Sequence, residues 1–298
     1  MGKVLQAREK RRIEVVFLAI AGLMIGTLSP AGAVRAEENN LAALRDDVRS
    51  DGASGGGSDD DSTKPRRPYH DKEEEDPADS SLGRMLADMG AIVALSPFWL
   101  PRTAVDDTGG DGYFSRWPYR DGPHYMTIDR WTDGSRRWSA RLRGDYAEDF
   151  DDMSRISGHL LVSTSARFGL DTEMNFLQER LPERRRDELW LGDCNLVYRF
   201  AQSERSQWRA GLGFNWLDDA ADTNFGFNFT YGFDLYPVKP LVLSTELDWG
   251  TLGSAEAFHF RTTAGVVLFG LESYVGYEYR DIDRFHFNGL VAGVRVWF

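Results

Sequence analysis

From Arg137 to Phe298, polar and apolar side chains alternate with a period of two, segment after segment. Nothing else in the chain restricts its fold so strongly, because successive side chains of a β-strand point to opposite faces. The segments are 137–149, 154–164, 166–178, 188–200, 207–217, 224–235, 241–250, 256–268, 271–281 and 285–298. They predict ten strands, with about sixteen residues for each strand and its connection. Soluble sandwiches turn every ~8–12 residues, whereas strands that cross a membrane run for ~9–11 residues before turning. The spacing fits the longer class. Its weakest boundary is Ser163–Ser165, since without a turn there the second and third segments fuse and nine strands remain.

One face of these segments is apolar throughout and carries no Lys, Arg, Asp or Glu. The sixth is nearly all ring: Phe225, Phe227, Phe229, Tyr231 and Phe233. Cys194, the only cysteine, lies on this face as a small hydrophobe, and a lone cysteine excludes an intrachain disulfide framework. Aromatics reach 13% although mean hydropathy is −0.44, as expected when residues are sorted onto two faces.

The opposite face holds Arg141, Arg143, Arg167, Arg199, Arg209, Arg261, Arg280 and Arg295. Against them stand Asp145, Asp171, Glu173, Asp193, Asp234, Glu246, Asp248, Glu272 and Glu278. Every cation in the set is Arg. A solvated face would use Lys freely, whereas an enclosed ionic network favours the planar guanidinium fork, which binds carboxylates through two hydrogen bonds. Several glycines share this face and leave room for long side chains.

Periodicity alone does not say which face is outside. In a soluble exported sandwich, the alternative architecture, rings would be core and charges wet; in a membrane barrel the order inverts. Strand length, the unbroken apolar face and a leader that reads as an export signal favour the inverted order. The final segment adds to this: Leu290, Ala292, Val294, Val296 and Phe298 alternate to the last residue. Here the chain resembles the single-chain bacterial outer-membrane β-barrel proteins. The resemblance covers roughly 137–298, and its specific part is the last nine or so residues. It implies an all-β, antiparallel up-and-down barrel of about ten strands in the outer membrane, in contact with its lipid and assembled by the barrel-assembly machinery. With Phe298 at the periplasmic edge and strands alternating in direction, ten strands leave both termini of the barrel on the periplasmic side. Trp138 and Trp208 then fall near the inner edge, and Trp190, Trp216 and Trp249 near the outer edge, as two aromatic girdles.

Residues 1–36 read as a signal peptide: Lys3, Arg8, Lys10, Arg11 and Arg12, an apolar run over 13–28, then Ala31-Gly32-Ala33 and Val34-Arg35-Ala36. Cleavage there removes six basic and two acidic residues from 35 and 47, leaving 29 against 45, net −16. Such an acidic chain is not expected to bind nucleic acid. Residues 37–80, with Asp59-Asp60-Asp61 and Glu73-Glu74-Glu75, read as a disordered acidic leader, for which the sequence supplies no periplasmic partner. Leu82, Met85, Leu86, Met89, Ile92 and Val93 have helical spacing, so 81–96 is expected to be an amphipathic helix ended by Pro97. Residues 97–136 read as an irregular connector.

Chemistry is sparse. If the seventh and eighth strands form a hairpin centred at Leu252-Gly253, Glu246 faces His259 and Ser244 faces Arg261. Ser244, His259 and Glu246 would then be the parts of a lipid- or ester-hydrolysing enzyme. The plainer reading places His259 inside the Arg–carboxylate network. No histidine pair has metal-ligand spacing, so neither metal nor cofactor is expected. The sequence therefore points to a non-enzymatic envelope barrel, structural or narrow-pored, with a lumen filled by paired charges.

Overall fold

The computed structural model describes residues 39–49, 96–149, 152–182, 185–219 and 222–298. The expected signal peptide, most of the leader and nearly all of the 81–96 helix lie outside these residues. Two helices come first, α1 (Asn40–Arg49) and α2, helical over the described residues 96–104. A two-stranded sheet follows, β1 (Gly112–Phe114) and β2 (Met126–Ile128).

Ten antiparallel strands then close into a barrel. They are β3 (Trp138–Glu148), β4 (Met153–Thr164), β5 (Phe168–Arg180), β6 (Arg186–Ser203), β7 (Ser206–Asp218), β8 (Thr223–Leu235), β9 (Leu241–Leu252), β10 (Ala255–Leu268), β11 (Leu271–Ile282) and β12 (Phe285–Trp297). Each pairs with its sequence neighbours, and β12 pairs with β3 to remove the last free edge. The turn near Ser163–Ser165 exists, with Ser163 opposite Gly169, so the strand count is ten. A single closed sheet also excludes the two-layer sandwich. We call the end where β3 begins and β12 finishes the near mouth, and the opposite end the far mouth.

Closure sorts the alternating residues. Large apolar side chains on all ten strands face outward and stay exposed, among them Leu196 at 64%, Val275 at 64% and Trp249 at 62%. The arginines and carboxylates face inward, and Arg141, Arg143, Arg261 and Arg295 are almost fully buried. Inward glycines make room for them: a Cβ on Gly232 would stand 2.7 Å from the Arg209 guanidinium carbon. In β6 the register slips between Tyr198 and Ala201. Beyond that bulge Ala201 joins Phe200 on the outer wall, opposite Trp208, and Gln202 turns inward to Arg199.

Three expectations need correction. Residues 40–49, placed in a disordered leader, form α1; Leu41, Leu44 and Val48 lie on one helical face and are buried. Pro97 does not end a helix, since residues 96–104 are helical on both sides of it. The connector 97–136 is not irregular throughout, since it holds most of α2 together with β1 and β2.

Candidate functional site

The lumen is filled in three layers. At the near mouth, Phe114, Tyr119, Tyr125 and Met126 from the β1–β2 segment pack against Tyr236, Val242, Val267 and Trp297 of the wall. Trp297 Nε1 donates to Glu272 at 3.0 Å, and the Arg141 guanidinium lies 5.3 Å from the Trp297 ring centre. This joins the aromatic layer to the charges above it. Asp107 fastens the segment: Arg167 donates to both its oxygens at 2.7 Å, and the Gln202 backbone N–H adds a third bond at 3.1 Å. Burial pushes the Asp107 carboxyl pKa up, but hydrogen bonds from Arg167 and from the Gly109 N–H outweigh it, and the net shift is downward.

The middle layer is ionic. Asp234 accepts from Arg141 at 2.7 Å, Arg209 at 2.8 Å and Ser244 at 2.6 Å. Glu246 accepts from Arg143 at 2.5 Å and Arg209 at 3.1 Å. Glu173 takes Arg261 through both oxygens, at 2.8 and 3.1 Å, and also binds Arg143. Arg261 reaches on to Glu278 at 3.0 Å, and Arg280 stands 3.5 Å from Glu173. Arg295 donates to Glu272 at 2.7 Å and Thr263 at 2.8 Å. Asp171 lies 2.5 Å from His159 Nε2, while Asp193 accepts from Asn195 at 2.8 Å. Long guanidinium arms thus cross-link strands that are not neighbours, which a ladder of backbone hydrogen bonds cannot do.

Arg155 also belongs to this layer, although the sequence reading does not include it. It donates to Asn175 and Asp145, each at 2.7 Å, and binds Glu278. Its position two residues from Ser157 on the inward face of β4 is the available signal. Conversely, Arg167 and Arg199 lie outside the central layer. Arg167 is in the β4–β5 turn on Asp107, and Arg199 donates to Gln202 at 2.5 Å and to the Thr164 carbonyl at 3.0 Å.

The far mouth is lined differently. There the inward positions turn apolar, with Leu177, Leu189, Leu191, Leu217, Leu252, Phe285 and Phe287 all buried. Leu41, Leu44 and Val48 of α1 fill the collar they form. Asn39 Oδ1 accepts the Ala42 N–H at 2.9 Å as an N-cap. Arg45 makes a two-pronged contact with Asp187 at 2.6 and 2.8 Å, and Asp219 binds both Arg45 and Arg49 at 2.7 Å. A cavity of about 20 Å³ remains where collar and network meet, lined by Asp193, Asp248, His259 and Arg280.

Ser244, Glu246 and His259 do not assemble as a catalytic set. Leu252 pairs with Ala255 across Gly253-Ser254, so the hairpin centre lies one residue later than expected. His259 therefore faces Asp248, with Nδ1 2.8 Å from the carboxylate, and Arg261 faces Glu246. Ser244 is bound to Asp234 instead. Among the described residues no group of three or more His, Cys, Asp or Glu is placed to hold a metal ion.

On the outer wall, Trp138, Trp190 and Trp249 are exposed and Trp216 is half-buried. Trp208, expected in the near-edge girdle, is only 4% exposed. It stacks on Phe233 at 4.6 Å, in a cluster that includes Phe98 of α2 and Val105 just beyond it. A helix laid on the wall has replaced solvent there, something strand periodicity cannot report.

Comparison with protein-family models gives no match, and none of the curated proteins matches. Among solved structures, CdiB from Acinetobacter baumannii is similar at a TM-score of 0.27 and 11% identity. The match covers 53% of this chain and 40% of that one. Likeness that slight assigns neither family nor activity.

Proposed function

We propose that this chain is a non-enzymatic outer-membrane β-barrel of the cell envelope, with a structural or narrow-path role. The observation that carries the reading is the inside-out sorting of one closed sheet. Exposed large apolar side chains occur on all ten strands, around a lumen of buried Arg–carboxylate pairs. Monomers in water rarely expose a contiguous apolar patch beyond about 300–600 Å². A hydrocarbon surround accounts for the belt, and closure satisfies the backbone groups that lipid could not. Among the described residues no helix is long and apolar enough to cross a membrane, so the strands carry the reading.

The filled lumen supports a structural role over free diffusion. Aromatic plug, ionic layer and α1 follow one another along the barrel axis. On this reading the barrel-assembly machinery inserts the sheet, and acyl chains contact the residues between the Trp138 and Trp249 levels. The test is extraction of membranes followed by gel migration of heated and unheated samples. Detergent-dependent release with heat-modifiable migration is expected, together with little conductance in planar bilayers. Release by salt alone would contradict membrane spanning. A large stable conductance would contradict the filled lumen.

A further inference from the structure

The far collar receives a helix that is not an element of the barrel wall. Its apolar wall is covered by α1 and meets it without strand pairing or a shared element. The wall supplies acid and the guest supplies base: Asp187 and Asp219 receive Arg45 and Arg49, two residues one helical turn apart. The wall also supplies a carboxylate for the helix start, since Glu179 accepts the Asn40 and Leu41 N–H groups, each at 2.9 Å. One pair runs the other way, with Asp47 of α1 2.6 Å from Arg284. α1 has ten residues, below the ~12–15 at which an isolated helix holds in water. It therefore gains its order by docking, like a ligand that folds as it binds.

We infer that the far mouth is a binding site for amphipathic helices that present two arginines one turn apart beside an apolar stripe, and that α1 is its tethered, displaceable occupant. The recognised pattern is apolar residues at i, i+3 and i+7 with arginines at i+4 and i+8, as in Leu41, Leu44, Val48, Arg45 and Arg49. A matching helix from another molecule would exchange Leu41, Leu44 and Val48 for its own apolar side chains and leave the ionic layer intact. The inference rests on these contacts and holds in detergent, whichever membrane the barrel occupies.

The probe is a fluorescein-labelled peptide of residues 39–49, titrated into the full chain in detergent micelles and read by anisotropy. In the unaltered chain α1 competes at high local concentration and the peptide binds weakly. Arg45→Glu in the full chain sets its own helix against Asp187 and Asp219, and peptide affinity is expected to rise at least tenfold. Arg45→Ala should fall between the two. Adding Asp187→Asn and Asp219→Asn to the Arg45→Glu chain should remove the gain, and a peptide with both arginines changed to Glu should not bind. Equal binding of both peptides, or no gain in Arg45→Glu, would overturn the inference. Loss of heat-modifiable migration in Arg45→Glu would overturn it too, by showing α1 to be a fixed staple of the barrel. Dimers of the unaltered chain that exchange α1 would overturn it in favour of a collar that serves a second copy.

Discussion

Glu179 closes the first turn of α1 from the β5 wall: its two carboxylate oxygens accept the Asn40 and Leu41 N–H groups, each at 2.9 Å. A helix start leaves backbone N–H groups without intrahelical partners and carries partial positive charge. A β5 side chain satisfies both needs, so sheet and helix are coupled at one group. Glu179→Gln keeps the shape and removes the charge, and Glu179→Ala removes both. The expected cost to α1 docking is about 1 kcal/mol for Gln and about 2 kcal/mol for Ala. Hydrogen exchange at residues 40–42 should quicken in that order while β3–β12 amides stay protected.

The ionic layer should be stiff and intolerant of deletion. Glu173 holds Arg261 through two bonds and also binds Arg143. Glu173→Gln leaves buried guanidinium charge uncompensated, which costs about 3–5 kcal/mol. Leu196→Ala on the exposed wall creates no cavity. The urea midpoint of the heat-modifiable transition should fall sharply for the first variant and little for the second.

Stability of the near mouth should depend on acid through Asp107. Its folded pKa lies below the unfolded value of about 3.9. The stabilisation is therefore fully present above that unfolded value and is lost as pH falls through the folded one. Limited proteolysis over pH 6 to about 3 should show cleavage near 106–112 rising below roughly pH 4. Asp107→Asn should cleave faster at pH 6 and lose that part of the pH dependence.

Single-tryptophan variants report which rings meet lipid. Trp99 of α2 and Trp249 of β9 are exposed, whereas Trp208 is covered. In vesicles with brominated acyl chains, emission from Trp249 and Trp99 should be quenched more strongly than that from Trp208. Phe98→Ala, which removes a ring from the covering cluster, should raise the quenching of Trp208.

Ten strands are legible in the sequence because outward-facing and inward-facing residues differ in kind along most of each strand from Trp138 to Trp297. The contents of the lumen are less so. α1 lies in a polar, charge-rich stretch, where Leu41, Leu44 and Val48 are too few to raise a windowed average. Its true signal sits elsewhere, in Leu177, Leu189, Leu217, Leu252 and Phe285. Apolar residues on the inward face at one end of successive strands mean that something non-polar fills that end. The hydrolase arrangement fails for a smaller reason. Gly253, at φ +59°, turns the hairpin with Ser254, and moving that centre by one residue changes every cross-strand partner.

Accessibility of spin labels at Val275 and Leu196 tests the inside-out sheet most directly. Each position is changed to Cys in a Cys194→Ser background, reconstituted in lipid vesicles and exposed to oxygen or to a water-soluble nickel chelate. Strong relaxation by oxygen and shielding from nickel are expected at both sites. Free access of nickel, with no preference for oxygen, would mean that the apolar wall faces water and would contradict a membrane-spanning barrel.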